Sequence, residues 1–227
     1  MPRELIITCE HAGNLVPKKY ETLFSQSAEV LNSHEGWDPG AWDIALYLGH
    51  QLNVVPFGCH TTRLLIEANR SLYSHQLFSR YTTHLDDNEK EILIKEVYNP
   101  YRQNIQLKID QLKKPVLHLS IHSFTPLYHG KERTVELGLL FDPNRKSENE
   151  FCRNLKLELN QIIPDLKVMD NEPYLGIDDG LTSYFRSLYS DDQYMGIEIE
   201  VNQKFIGDLS QIEQSLTQGI KKSCFPD

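Results

Sequence analysis

The 227-residue chain has no apolar run near the roughly 20 residues needed to cross a bilayer, so a transmembrane helix is excluded on sequence grounds. It also lacks basic excess: 23 Lys and Arg stand against 32 Asp and Glu, a formal net charge of −9. Nucleic acids and anionic membrane surfaces both require a basic footprint, so neither is an expected partner. Cysteine is sparse. Cys9, Cys59, Cys152 and Cys224 are scattered without a C-x-x-C pair, and at this size they read as reduced thiols rather than a disulfide framework. The opening Met1-Pro2-Arg3-Glu4 runs straight into a short β-rich stretch without a secretory apolar region, which leads us to expect a cytoplasmic protein. Repeats, low-complexity tracts and linkers are missing too. With 40% hydrophobic and 24% charged residues, residues 1–227 are expected to form one globular domain.

What is present is an alternation of strand and helix patterns. Leu5–Cys9 is a β-rich run followed by a loop from Glu10 to Asn14. Asp38-Pro39 has the form of an N-cap followed by a first-turn proline, with Ala41, Ile44, Ala45, Leu48 and Leu52 on one helical face. Val54–Phe57 is apolar, but Pro56 demotes it to an edge strand or strand end. Arg63–Glu67 reads as a strand, and Asp86–Leu112 as helix that Pro100 should kink or split. Pro115–Ile121 is a strand ending at His122, and Val135–Phe141 a further apolar run. Ser147–Glu150 has capping-box form ahead of Phe151, Leu155, Leu159 and Ile162. A long polar connection runs from Asn171 to Tyr184 and is a candidate wall or lid. Gly196–Val201 alternates with period two, as a strand with one wet face would, and Ile212, Leu216 and Ile220 mark a last amphipathic helix. The expected fold class is α/β, a three-layer sandwich with a mixed, mostly parallel sheet flanked by helices.

Ligands of open α/β sheets collect beyond the carboxyl ends of the strands. There the sequence delivers Glu10 and His11, Asn69 and Arg70, His122 and Ser123, and Glu198. Two histidines with several carboxylates suit a catalytic zinc site, which takes three protein ligands and keeps a position open for water. No compact metal motif such as H-E-x-x-H is present.

Five blocks taken together resemble the N-formylglutamate amidohydrolase family: Thr8–Asn14, His34–Ala41, Arg63–Arg70, Ile121–Pro126 and Gly196–Ile199. That family is distantly similar to zinc carboxypeptidases and aspartoacylases, which share a mixed eight-stranded sheet between helices. The resemblance implies zinc-dependent hydrolysis of the amide of a small N-acyl amino acid, N-formylglutamate to glutamate and formate being the leading candidate. It implies His11 and His122 as zinc ligands, Glu198 as general base, and Asn69 with Arg70 as a grip on a substrate carboxylate. Arg63 is implied as help for the oxyanion. Carboxypeptidases place a glutamate ligand three residues after the first histidine, but this chain has Asn14 there, and Asp38 is the replacement candidate. Glu10 is the reserve ligand, or else orients His11. Glu200 also departs, because relatives often carry Arg or Asn at that point.

Each residue has a plainer reading. Asp38 is also a good N-cap, Glu198 a residue of a solvated strand face like Glu200, and Arg70 a surface ion-pair partner for Glu67. Arg63 doubles as a surface residue and His118 as support for His122, while Cys9-Glu10-His11 admits a cysteine nucleophile. Two alternatives to the leading function stand. One is a zinc hydrolase of another N-acyl amino acid, peptide or cell-wall amide. The other is a catalytically decayed small-ligand-binding protein.

Overall fold

Side-chain alternation along three parallel strands sets the architecture. The computed structural model describes residues 4–113 and 115–224. Its strands are β1 (Glu4–Cys9), β2 (Phe57–Gly58), β3 (Val116–Phe124), β4 (Leu127–Tyr128), β5 (Lys131–Glu132), β6 (Leu137–Leu140), β7 (Val168–Asp170) and β8 (Tyr194–Asn202). The helices are α1 (Ala28–Leu31), α2 (Ala41–Leu52), α3 (Asp87–Leu93), α4 (Asn99–Gln111), α5 (Lys146–Ile162), α6 (Leu181–Leu188) and α7 (Ser210–Cys224). Six strands form one sheet in the order β2-β1-β3-β8-β6-β7, and β4 with β5 makes a separate hairpin. Strands β2, β1, β3 and β8 run parallel, β6 is antiparallel to β8, and β7 is parallel to β6. This is the expected mixed, mostly parallel sheet, with six strands where the carboxypeptidase likeness suggested eight.

One face of the sheet is dry. Ile7, Leu117, Leu119, Ile121, Ile197 and Ile199 pack against Ile44 and Leu48 of α2, Phe151 and Leu155 of α5, and Ile212 and Leu216 of α7. Each such side chain contributes about 1.5–3 kcal/mol by leaving water. The opposite face grades from apolar to polar along the strands. Ile6, Val116 and Tyr194 pack under Ile105 and Ile109 of α4 and Phe185 of α6. Further toward the carboxyl ends the same face carries Thr8, Ser120, His122, Glu198 and Glu200. That gradient puts the polar groups at one end of the sheet.

Several local expectations are corrected. Residues 63–65 form a hydrogen-bonded turn, with Leu65 N–H donating to Thr62 O, and Ile66 and Glu67 belong to no strand. Leu64, Leu65 and Ile66 are all buried against Tyr20, Phe24, Leu77 and Leu93, so the apolar run serves a separate core cluster rather than a ladder. The helical stretch is divided near Pro100, as expected, with the proline in the first turn of α4. A π turn over Ile94–Tyr98 links α3 to α4 immediately before it. Ser147–Glu150 forms no capping box. Ser147 bonds Asp191, and Glu148 is buried against Arg186 and the Gly196 N–H. The polar connection ends at Gly180 because Leu181–Leu188 is helical, and β8 has no wet outer face, since all nine of its residues are buried.

Candidate active site

The loop after β1 turns His11 over the carboxyl end of the sheet, and a backbone hydrogen bond from Asp38 N–H to His11 O (3.0 Å) pins the start of α2 beside it. Gly40 takes a left-handed conformation (φ 79°) at the helix entry, and Asp38 makes no capping bond from its side chain. Its carboxylate instead faces the two histidines. Asp38 Oδ2 lies 3.0 Å from His11 Nδ1 and 2.8 Å from His122 Nδ1. The N-cap reading of Asp38 is thereby replaced.

Each imidazole is held from behind by a carboxylate. His11 Nε2 lies 2.5 Å from Glu67 Oε1, and His122 Nε2 lies 2.8 Å from Glu10 Oε2. Glu10 therefore orients His122 and not His11, the reverse of the sequence expectation. Tyr101 OH donates to its other oxygen (2.8 Å), and Ser120 Oγ donates to Oε2. Glu67 was missed as a functional residue. Its signal was the Arg63…Glu67 spacing: Arg63 Nη2 approaches Glu67 Oε2 at 2.6 Å and Nη1 reaches Asp38 Oδ1 at 3.4 Å. Arg63 therefore anchors two carboxylates, a different task from donating freely to an oxyanion.

Burial alone would raise the pKa of Asp38, Glu10 and Glu67, but their cationic partners outweigh it. His11 and His122 hold Asp38 well below the usual carboxylate range, His122 does so for Glu10, and Arg63 with His11 does so for Glu67. Burial and Arg63 work against a charged His11, yet Glu67 and Asp38 raise its pKa, and Asp38 with Glu10 raises that of buried His122. The ring nitrogens facing Asp38 thus sit where a positive charge is stabilised. With each Nε2 fixed on a carboxylate, the Nδ1 lone pairs and the Asp38 oxygen converge, as metal-binding histidines with carboxylate support do. His11, Asp38 and His122 bring their donor atoms within 4.8 Å of one another, all buried, and can hold a divalent metal. Asn14 lies off the cavity, donating to Leu31 O (2.9 Å).

These residues form one end of a cavity of about 350 Å³ whose walls include Arg63, Asn69, Arg70, Tyr174, Asp178, Glu198 and Glu200. Asn69 and Arg70 sit on a segment tied down by the π turn and α4: Tyr98 OH donates to Arg70 O (2.7 Å), and Arg102 to Ala68 O (3.2 Å). Asn69 Oδ1 accepts the Leu181 N–H (2.7 Å). Arg70 donates to Asp179 O (2.8 Å), and Glu67 pairs with Arg63 rather than with Arg70. Residues 171–180 supply a wall through Tyr174, Leu175, Asp178 and Asp179. Glu198 accepts from Thr182 Oγ1 at 2.6 Å. Glu200, expected on a solvated face, also faces the cavity. It is 6% exposed with Oε2 unpartnered among the described residues, and burial reinforced by Asp38 and Glu198 lifts its pKa to about 7.

Three residues lie outside the donor set. His118 is enclosed between Thr8 Oγ1 (2.8 Å) and Tyr194 OH (2.6 Å) and has no direct bond to His122 among the described contacts. Cys9 lies in the dry core, where burial and then Glu10 push its thiol pKa well up, so the nucleophile reading fails. His34 is exposed and does not line the cavity.

The crystal structure of a gene product from Agrobacterium tumefaciens is similar to this chain, with 28% identity, a TM-score of 0.81 and coverage of 97% of this chain and 90% of that one. The N-formylglutamate amidohydrolase of Ralstonia eutropha shares the fold at 14% identity and a TM-score of 0.63, covering 97% and 94% of the two chains. No curated protein matches the sequence significantly. The sequence matches the profile of the N-formylglutamate amidohydrolases over residues 3–207. With that match spanning most of its length, the chain belongs to the N-formylglutamate amidohydrolase family and is an amidohydrolase.

Proposed function

We propose that the chain is a zinc-dependent enzyme that hydrolyses the amide of an N-acyl amino acid, and that hydrolysis of N-formylglutamate to glutamate and formate is the first reaction to assay. The observation that carries this is the convergence of His11, Asp38 and His122 in a cavity that also presents Glu198 and Arg70. Two neutral imidazoles and one carboxylate are a donor set that zinc accepts, with the cavity providing its open side. His11, Asp38 and His122 would hold the zinc ion, which when bound would supply Lewis-acid polarisation of an amide carbonyl and acidify water.

The remaining roles fall to the protein's own groups. Glu198 takes the proton from the attacking water and returns it to the departing nitrogen, with Thr182 fixing one of its oxygens. Arg70 and Asn69 receive the substrate carboxylate, where a guanidinium fork matches two oxygens. Arg63 keeps Asp38 and Glu67 in place, and Glu67 and Glu10 fix the imidazole orientations. Asn14 lies away from the cavity, so its departure from the carboxypeptidase pattern does not touch the donor set.

The test is elemental analysis of protein purified without added metal, coupled to N-formylglutamate hydrolysis before chelation, after it and after zinc is restored. Stoichiometric zinc with activity that is lost and recovered supports the reading. A metal-free protein that neither takes up zinc nor hydrolyses any N-acyl amino acid refutes it and favours a ligand-binding role.

A further inference from the structure

We propose that the amino-acid portion of the substrate carries a cationic side chain, a primary ammonium, that Glu200 receives inside the cavity. This rests on the amidohydrolase reading above and narrows its substrate class. Glu200 is 6% exposed, lines the cavity, and has one carboxylate oxygen, Oε2, without a hydrogen-bond partner among the described residues. A buried, unpartnered carboxylate oxygen is costly to keep, and a bound group that satisfies it removes that cost. His122, His11 and Arg63 are close enough to act on Glu200 electrostatically, but among the described residues none of them donates a hydrogen bond to Oε2. Arg63 is engaged by Glu67 and Asp38. Arg133 lies outside the cavity lining, stacked on Tyr128 (4.4 Å) and Tyr174 (5.3 Å) and bonded to Tyr174 OH.

Asp38 and Glu67 are paired with His11, His122 and Arg63, which leaves Asp178, Asp179, Glu198 and Glu200 as the further carboxylates of the cavity wall, opposite Arg70. A second metal ion is not the natural occupant of Glu200. Among the described residues the His11, Asp38 and His122 group is the one that gathers three donors closely enough, and Glu200 is not part of it. An N-acyl amino acid whose α-carboxylate meets Arg70 has its side chain left to meet the rest of the wall. A second carboxylate, as in N-formylglutamate, would face Glu200 and its acidic neighbours, whereas an ammonium donates to the unpartnered oxygen.

The experiment compares kcat/KM of the zinc-loaded protein for Nα-formyl-lysine, N-formylnorleucine and N-formylglutamate, in wild type and in Glu200→Gln. Calorimetric binding of lysine and glutamate, together with metal content, is measured on the same samples. We expect lysine to be favoured over glutamate by at least about tenfold in turnover and in binding, the scale of one charge-assisted hydrogen bond, and Glu200→Gln to erase most of that preference. A wild-type preference for N-formylglutamate that Glu200→Gln leaves unchanged overturns the proposal while the hydrolase reading stands. A Glu200→Gln protein that loses zinc yet keeps its selectivity overturns it as well. Selective, Glu200-dependent lysine binding without turnover of any formyl compound supports the ammonium site and instead removes the hydrolase reading.

Discussion

Glu10→Gln is the most discriminating single substitution. Glu10 is 1% exposed, and its Oε2 sits 2.8 Å from His122 Nε2, while Oε1 accepts from Tyr101. Glutamine keeps the volume and one oxygen that can still accept from the ring, so packing is preserved. Tyr101 can turn its hydroxyl to accept from the new amide. What is lost is the negative charge that fixes the ring tautomer and makes Nδ1 a stronger donor. Replacing such supporting carboxylates typically weakens metal affinity by about tenfold to a hundredfold, about 1.4–2.8 kcal/mol at 1.4 kcal/mol per decade. Competition titration against a chromophoric chelator measures the change, and circular dichroism of the zinc-loaded variant checks the fold. Zinc affinity within about twofold of wild type in a folded Glu10→Gln protein would refute ligation through His122 Nδ1 and with it the assignment of the metal centre.

Three further outcomes follow from the same geometry. Glu198→Gln should lower turnover by about 10²–10⁴-fold with zinc content unchanged, because it removes the proton carrier and leaves the donor set intact; near-wild-type rates would remove Glu198 as the base. Arg70→Ala should raise KM for substrates with an α-carboxylate by about ten- to a hundredfold while costing neutral amide analogues much less, and equal losses on both would exclude the clamp. His118 is buried neutral, with burial the main cause of a pKa pushed down to about 4. Between pH 6.5 and 4 the unfolded chain binds that proton and the folded chain does not, so this contribution is present above pH 6.5 and fades as pH falls through 4. It amounts to about 3 kcal/mol at 1.36 kcal/mol per pKa unit. Urea unfolding of metal-free protein at pH 7 and pH 4 should therefore show a smaller acid penalty in His118→Gln than in wild type, and equal penalties would contradict the assignment.

Much of the fold was legible because it rests on local pattern. Ile44, Ala45 and Leu48 announced the buried face of α2, and Leu117, Leu119 and Ile121 announced one face of β3, since periods of 3.6 and 2 are written directly into the chain. The misreadings share one cause. Leu64, Leu65 and Ile66 look like a strand because an apolar triplet reports burial without reporting which partner covers it. Glu198 and Glu200 look solvated because alternation distinguishes two faces but not whether the polar one meets water or a cavity.

By itself the sequence determined the alternation of strands and helices, the absence of a long apolar span, and the family motifs that contain His11, Arg70, His122 and Glu198. Tertiary structure alone decided which carboxylate stands behind which imidazole, that Asp38 faces the histidines instead of capping α2, and that Glu200 is enclosed with its Oε2 unpartnered among the described residues. Residues as far apart as Glu10 and His122 meet through strand register and helix packing, so their pairing depends on distances that no local pattern encodes.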